Sequence, residues 1–128
     1  MARILVIEDE EDVVRVVTKM MTSRGHQVRT ARDGIEGLAE IAADPPDVII
    51  VDLNLPKMDG FEVCRRVKSD PATRQVPIVM MTAAYLSLDD ADRGTSLGAD
   101  EYVVKPFLRD VLVHNVERLL RPRSDEPS

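Results

Sequence analysis

The chain has 128 residues, about one domain's worth, and 44% hydrophobic residues supply a sizeable core. Lys and Arg number 17 against 23 Asp and Glu, a formal charge of −6 that argues against nucleic-acid phosphates or an anionic membrane as direct partners. A single cysteine excludes an internal disulfide framework, and 3% aromatics argue against a site built on ring stacking; a cytoplasmic setting is expected.

Met1-Ala2-Arg3 has no signal-peptide layout, and no apolar run approaches the ~20 residues of a membrane span. Ile4-Leu5-Val6-Ile7 is an unbroken apolar run of strand length, the mark of a strand covered on both faces. It leads directly into Glu8-Asp9-Glu10-Glu11-Asp12, after which Val13, Val14, Val16, Val17, Met20 and Met21 recur at helical spacing. Those six span roughly 160° of a helix, which reads either as a wide buried face or as a face that leaves some of Val14, Met21 and their neighbours exposed for docking. Val28 and Thr30 alternate weakly, as an edge strand does, and Ile35, Leu38, Ala39 and Ala42 predict a second helix. Pro45-Pro46 then precedes a second unbroken run, Val48-Ile49-Ile50-Val51, which ends in Asp52.

Beyond Pro56, residues Phe61, Cys64 and Val67 predict a third helix, with Cys64 a small buried apolar residue without a redox role. Pro71 and Pro77 fall between elements, and Ile78-Val79-Met80-Met81 is the third unbroken run, ending in Thr82. Residues 87–97 are weakened as a helix by Gly94, Thr95 and Ser96. Tyr102-Val103-Val104 is a short edge strand ending in Lys105-Pro106, and Leu108, Leu112, Val116 and Leu119 predict the last helix. Residues 1–121 form the expected domain; residues 122–128, polar and proline-interrupted, read as a disordered tail or the start of a linker.

Five strand–helix repeats predict an α/β fold with a doubly wound, five-stranded parallel sheet and helices on both faces. Three interior strands and two weak ones fit the flavodoxin-like order 2-1-3-4-5, whose ligands sit beyond the carboxyl ends of the strands, between the first and third. Four strands deliver Glu8 and Asp9, Asp52, Thr82 and Lys105 to that rim. Three carboxylates and one ammonium are balanced by a divalent cation, and hard oxygen ligands point to Mg²⁺ rather than Zn²⁺. Glu10, Glu11 and Asp12 are assigned to the start of the first helix, where acids are favourable. Asp52 reads either as a turn-forming residue ahead of Leu55-Pro56 or as a nucleophile that accepts a phosphoryl group. Taken singly, Thr82 is an ordinary β-branched strand residue and Lys105 an ordinary surface lysine; their convergence with the acids favours the second reading, since phosphoryl transfer needs alignment and charge cancellation.

The residues Ile4-Leu5-Val6-Ile7-Glu8-Asp9-Glu10, Asp52-Leu53-Asn54-Leu55-Pro56, Met58-Asp59-Gly60, Thr82-Ala83, Gly98-Ala99-Asp100 and Lys105-Pro106-Phe107 together resemble the receiver domain of two-component response regulators, chemotaxis regulators included. The resemblance covers roughly residues 2–120. It implies that Asp52 is the phosphoacceptor, that Asp9 binds Mg²⁺ directly with Glu8 acting mainly through coordinated water, and that Asn54 offers its backbone carbonyl. It further implies Thr82 as switch hydroxyl with Ala83 beside it, Lys105 as phosphate-pairing lysine, Tyr102 as switch aromatic and a cis peptide at Lys105-Pro106. Position 8 is more often Asp in the family, and Glu is a longer variant expected to keep metal binding. The implied partners are a sensor histidine kinase or histidine phosphotransfer protein, docking on the first helix, and a downstream partner or effector domain reached through residues 83–120. A phosphorylation-dependent homodimer is a further partner the family allows. Such a module catalyses only its own phosphorylation and dephosphorylation and is not an enzyme in the usual sense.

Three rivals are weighed against this. A flavin-binding protein of the same architecture wants a Ser/Thr/Gly loop after the first strand, where this chain has five acids. An aspartyl-phosphate phosphatase of the haloacid-dehalogenase type wants a general acid two residues after its nucleophile, where this chain has Asn54. A phosphorylation-independent pseudo-receiver has no use for Asp52, Asp9, Thr82 and Lys105 together.

Overall fold

The computed structural model describes residues 2–82, 98–105 and 109–120. In chain order the elements are β1 (Arg3–Ile7), α1 (Glu11–Thr22), β2 (Gln27–Ala31), α2 (Gly34–Ala43), β3 (Val48–Asp52), α3 (Gly60–Ser69), β4 (Ile78–Thr82), β5 (Glu101–Val104) and α4 (Arg109–Leu120). The strands form one parallel sheet in the order β2-β1-β3-β4-β5. The three unbroken apolar runs are its three interior strands, as a sheet covered on both faces requires. Successive side chains alternate between two cores. Leu5, Ile7, Ile49, Val51, Ile78 and Met80 pack with Ile41 of α2 and Phe61, Val63, Cys64 and Val67 of α3. On the other face Ile4, Val6, Val48, Ile50, Val79 and Met81 pack with Val17 and Met21 of α1 and Leu112 and Val116 of α4. Burial pushes the Cys64 thiol up to about 11, so it is unreactive at neutral pH. Among the described residues no helix is long and apolar enough to cross a membrane.

Two helix faces differ from the periodicity reading. Of the two alternatives for α1, Met21 follows the buried one and is fully covered, Val14 is half-buried, and the residue left open is Val16 at 48% exposure. Met21 lies one turn beyond Val17 and both sit over β1 and β3, so the inward stripe is narrower than the apolar count. On α2 the buried residues are Gly34, Gly37 and Ile41, while Ile35, Ala39 and Ala42 face outward. The cause is close approach. A Cβ at Gly37 would stand 2.5 Å from Ile7 Cδ1, so glycines, absent from an apolar count, form the contacting face.

The α1–β2 turn is tied to α4 by a network spanning the chain. Arg24 donates through Nε and Nη2 to the Glu117 carboxylate at 3.1 and 2.8 Å. The Ala2 N–H donates to His26 Nδ1 at 3.1 Å, which leaves Nε2 as the protonated nitrogen facing Glu117 Oε2 at 3.1 Å. The hydrogen bonds from Arg24, with His26 adding, hold the Glu117 carboxyl down at about 2 against an ordinary 4.5. Its folded-state value is depressed, so its contribution to stability is full above about pH 4.5 and is lost as pH falls toward 2. Glu117→Gln is therefore expected to be less stable than the parent chain at neutral pH, with the gap closing as the pH is lowered through that range. Urea unfolding at a series of pH values checks this, and a gap unchanged down to the acid limit contradicts it.

Candidate functional site

The strands end level along one rim. Register pairs Ile7 with Val51, Asp52 with Met81 and Thr82 with Val104, so Glu8, Asp52, Thr82 and Lys105 emerge side by side. Three ladder bonds pin the rim: Glu8 N–H to Ala31 O at 2.9 Å, Leu53 N–H, next after Asp52, to Met81 O at 2.8 Å, and Lys105 N–H to Thr82 O at 2.6 Å. The backbone that aims these side chains is thereby fixed by the sheet itself.

Glu8 is fully buried, Asp52 is 3% exposed and Thr82 is 1% exposed. Lys105 joins the two acids across the rim, with Nζ donating to Glu8 Oε1 at 2.7 Å and to Asp52 Oδ2 at 3.3 Å. Glu8 Oε2 accepts from the backbone N–H groups of Asp9 and Glu10 at 3.0 and 3.2 Å, and Asp52 Oδ1 accepts from the Asn54 N–H at 3.2 Å. Burial pushes the Glu8 carboxyl up to about 7, with the nearby Asp52 adding and Lys105 opposing. For Lys105, burial disfavours the ammonium, but the hydrogen bond to Glu8 and the charge of Asp52 prevail and raise it above its ordinary value. The ammonium stays charged at neutral pH and is the fixed cation of the site.

The loop between Asp52 and α3 is shaped at both ends. Leu53 and Leu55 are buried, Gly60 N–H donates to Leu53 O at 2.9 Å, and the Asp59 side chain caps α3 through the Glu62 N–H. Lys57 sits in the left-handed region at φ 66°, with Nζ 3.5 Å from Asp33.

Of the sequence-predicted residues, Glu8, Asp52 and Lys105 are brought into direct contact, and Thr82 lies buried at the next strand end. Asn54 is exposed beside Asp52. Asp9 is exposed and its N–H serves Glu8; it lines a cavity of about 610 Å³ with Glu8, Val14 and Thr18. Tyr102 is half-buried, paired in register with Met80 and packed against the α2–α3 core. Ala83 with the rest of residues 83–97, Pro106 with the cis peptide expected at Lys105-Pro106, and Phe107 lie outside the described residues, as does the tail 122–128. Sequence reasoning missed Glu10, which it gave to the helix end. Its carboxylate has an oxygen within 4.8 Å of oxygens from Glu8 and Asp52, and it lies 4.0 Å from Lys105 Nζ. This set of hard oxygen donors fits Mg²⁺, which prefers carboxylates and retained water.

A model of the response regulator receiver domain matches residues 4–117. The response regulator PleD of Caulobacter vibrioides is 42% identical over 120 residues, covering 94% of this chain and 26% of PleD. The DNA-binding dual master transcriptional regulator RpaA of Synechocystis is 40% identical over 121 residues, covering 94% of this chain and 50% of RpaA. The chain thus spans between a quarter and a half of the length of these relatives. Among solved structures, a putative response regulator from Chloroflexus aurantiacus superimposes with a TM-score of 0.88 at 34% identity, covering 93% of this chain and 97% of that one. Chemotaxis response regulator CheY4 of Vibrio cholerae does so with 0.86 at 33% identity, covering 93% and 98%.

Proposed function

The chain belongs to the response regulator receiver domain family, the signal-receiving module of two-component systems, and from that premise we propose that it is a phosphoacceptor working through Asp52. The phosphohistidine of a sensor histidine kinase or histidine phosphotransfer protein supplies the group. An Asp52 carboxylate oxygen forms the new O–P bond as the P–N bond to imidazole breaks, and the imidazole leaves with the bonding pair. Asp9, Asp52 and the Asn54 carbonyl would hold Mg²⁺ with Glu8 behind them, and the bound ion would offset charge on the phosphoryl oxygens. Lys105 pairs with a second phosphoryl oxygen, and Thr82 donates its hydroxyl to a third.

The observation that carries this reading is the Lys105 ammonium bridging two buried carboxylates at the ends of β1 and β3. A cation held there meets a dianionic group bonded to Asp52 with little rearrangement. Moving a two-state equilibrium from 1:99 to 99:1 takes ~5.5 kcal/mol. Two charge-assisted hydrogen bonds, from Thr82 and Lys105 at ~1.5–3 kcal/mol each, supply about that. Thr82 moves toward the phosphoryl group, Tyr102 fills the space that Thr82 leaves, and residues 83–120 present the change to a downstream partner, an effector domain or a second copy. Residues 1–121 act as the receiver unit and 122–128 as a tail or linker.

The test is incubation with Mg²⁺ and a small phosphodonor such as acetyl phosphate, read by intact mass. The parent chain is expected to gain one phosphoryl group and Asp52→Asn none. An equal gain in both places the chemistry elsewhere, and no gain in the parent favours a phosphorylation-independent interaction module.

A further inference from the structure

Three helices have a described residue at the N-cap, and they divide into two kinds. Asp33 and Asp59 each turn a carboxylate oxygen back onto the helix they precede, accepting the Glu36 and Glu62 N–H groups at 2.8 and 2.9 Å. Glu10 holds the same extended backbone before α1, and its carbonyl takes the first helical bond from the Val14 N–H, yet its side chain caps nothing. Its carboxylate reaches instead toward Lys105 Nζ, 4.0 Å away, in the company of Glu8 and Asp52. The extra methylene of Glu over Asp gives that reach and makes the residue a poor cap.

We propose that Glu10 serves the cation site rather than the helix end, its carboxylate raising the affinity of the acidic pocket for Mg²⁺. This rests on the reading of that pocket as a Mg²⁺ site. Two forces act together. The start of α1 carries about half a positive charge and faces the pocket, where it opposes a dication; a carboxylate between them cancels that field. Mg²⁺ also keeps several waters, so a flexible carboxylate at the rim helps through them without entering the inner sphere. Glu11 and Asp12, one and two residues further along, add the same formal charge but stand outside the group formed by Glu8, Glu10 and Asp52.

Isothermal titration of the full chain with Mg²⁺ alone tests this on the parent, Glu10→Gln, Glu10→Asp and Glu11→Gln. Removing a unit charge this close to a dication in a solvent-screened site is expected to weaken binding about three- to tenfold in Glu10→Gln. Glu11→Gln, which removes the same charge further out, should change it less than about twofold. Glu10→Asp is the sharper case. It keeps the charge, but the shorter side chain caps α1 as Asp33 and Asp59 cap theirs, so Mg²⁺ affinity falls while the melting temperature rises. Equal losses in Glu10→Gln and Glu11→Gln, or a Glu10→Asp chain that binds as the parent does, overturn the proposal. A parent chain that binds no Mg²⁺ defeats the reading of the pocket and this inference with it; parent-like binding by Glu10→Gln alone defeats only the inference.

Discussion

Gly60→Ala is expected to destabilise the domain by about 2 kcal/mol and to slow phosphoryl uptake at Asp52, two residues' worth of damage from one methyl group. A Cβ at Gly60 would stand 2.6 Å from the Asp52 carbonyl oxygen and 2.9 Å from Leu53 Cα. Both are backbone atoms of the strand end that aims the Asp52 side chain, so no rotamer change relieves the clash. Either α3 lifts off, losing the Gly60 N–H bond to Leu53 O, or the end of β3 moves and takes the carboxylate out of line with Lys105. The gain in helix propensity, roughly 1 kcal/mol, opposes the overpacking without cancelling it. Gly37→Ala is the comparison: there the nearest atom is the Cδ1 tip of the Ile7 side chain rather than backbone, and the loss should be smaller. Urea unfolding and intact-mass kinetics on the two variants check the ranking. A Gly60→Ala chain as stable and as reactive as the parent contradicts it.

What was legible in the sequence is what strand chemistry writes plainly. Ile4–Ile7, Val48–Val51 and Ile78–Met81 have no polar face, so they had to be interior, and an interior trio with two weak flanks leaves few sheet orders. The residue after each run then names the rim: Glu8, Asp52 and Thr82 are one step past an apolar strand, and Lys105 one step past Val104. Less legible were features that depend on where a side chain turns. Apolar counting misplaced the inward face of α2 because Gly34 and Gly37 contribute contact without hydrophobicity. Glu10 looked like one more acid at a helix start, and only the fold shows that its carboxylate joins those of Glu8 and Asp52, a group in which Glu11 and Asp12 have no part. The Arg24–His26–Glu117 network joins residues more than ninety positions apart, beyond any local pattern.

Lys105→Gln is expected to lower stability without Mg²⁺ by about 2–4 kcal/mol and yet to bind Mg²⁺ more tightly than the parent. Lys105 is the shared partner of Glu8, which is fully buried, and of Asp52, which nearly is. Without it two adjacent carboxylates face each other in a site with little access to water, and the cost approaches that of an uncompensated buried charge. Glu8, already pushed up to about 7 by burial, moderates the loss by taking up a proton. The ammonium and the dication neutralise the same oxygens, so removing one strengthens the pull on the other. Thermal unfolding with and without Mg²⁺ reads both halves at once: the variant should start lower and gain more from the ion than the parent does. Phosphoryl uptake should fall nonetheless, because the ion cannot replace a cation aimed at a second phosphoryl oxygen. A variant with the parent's stability and the parent's response to Mg²⁺ would mean that Lys105 only decorates the rim, and the assignment of Asp52 as acceptor would lose the contact that supports it most.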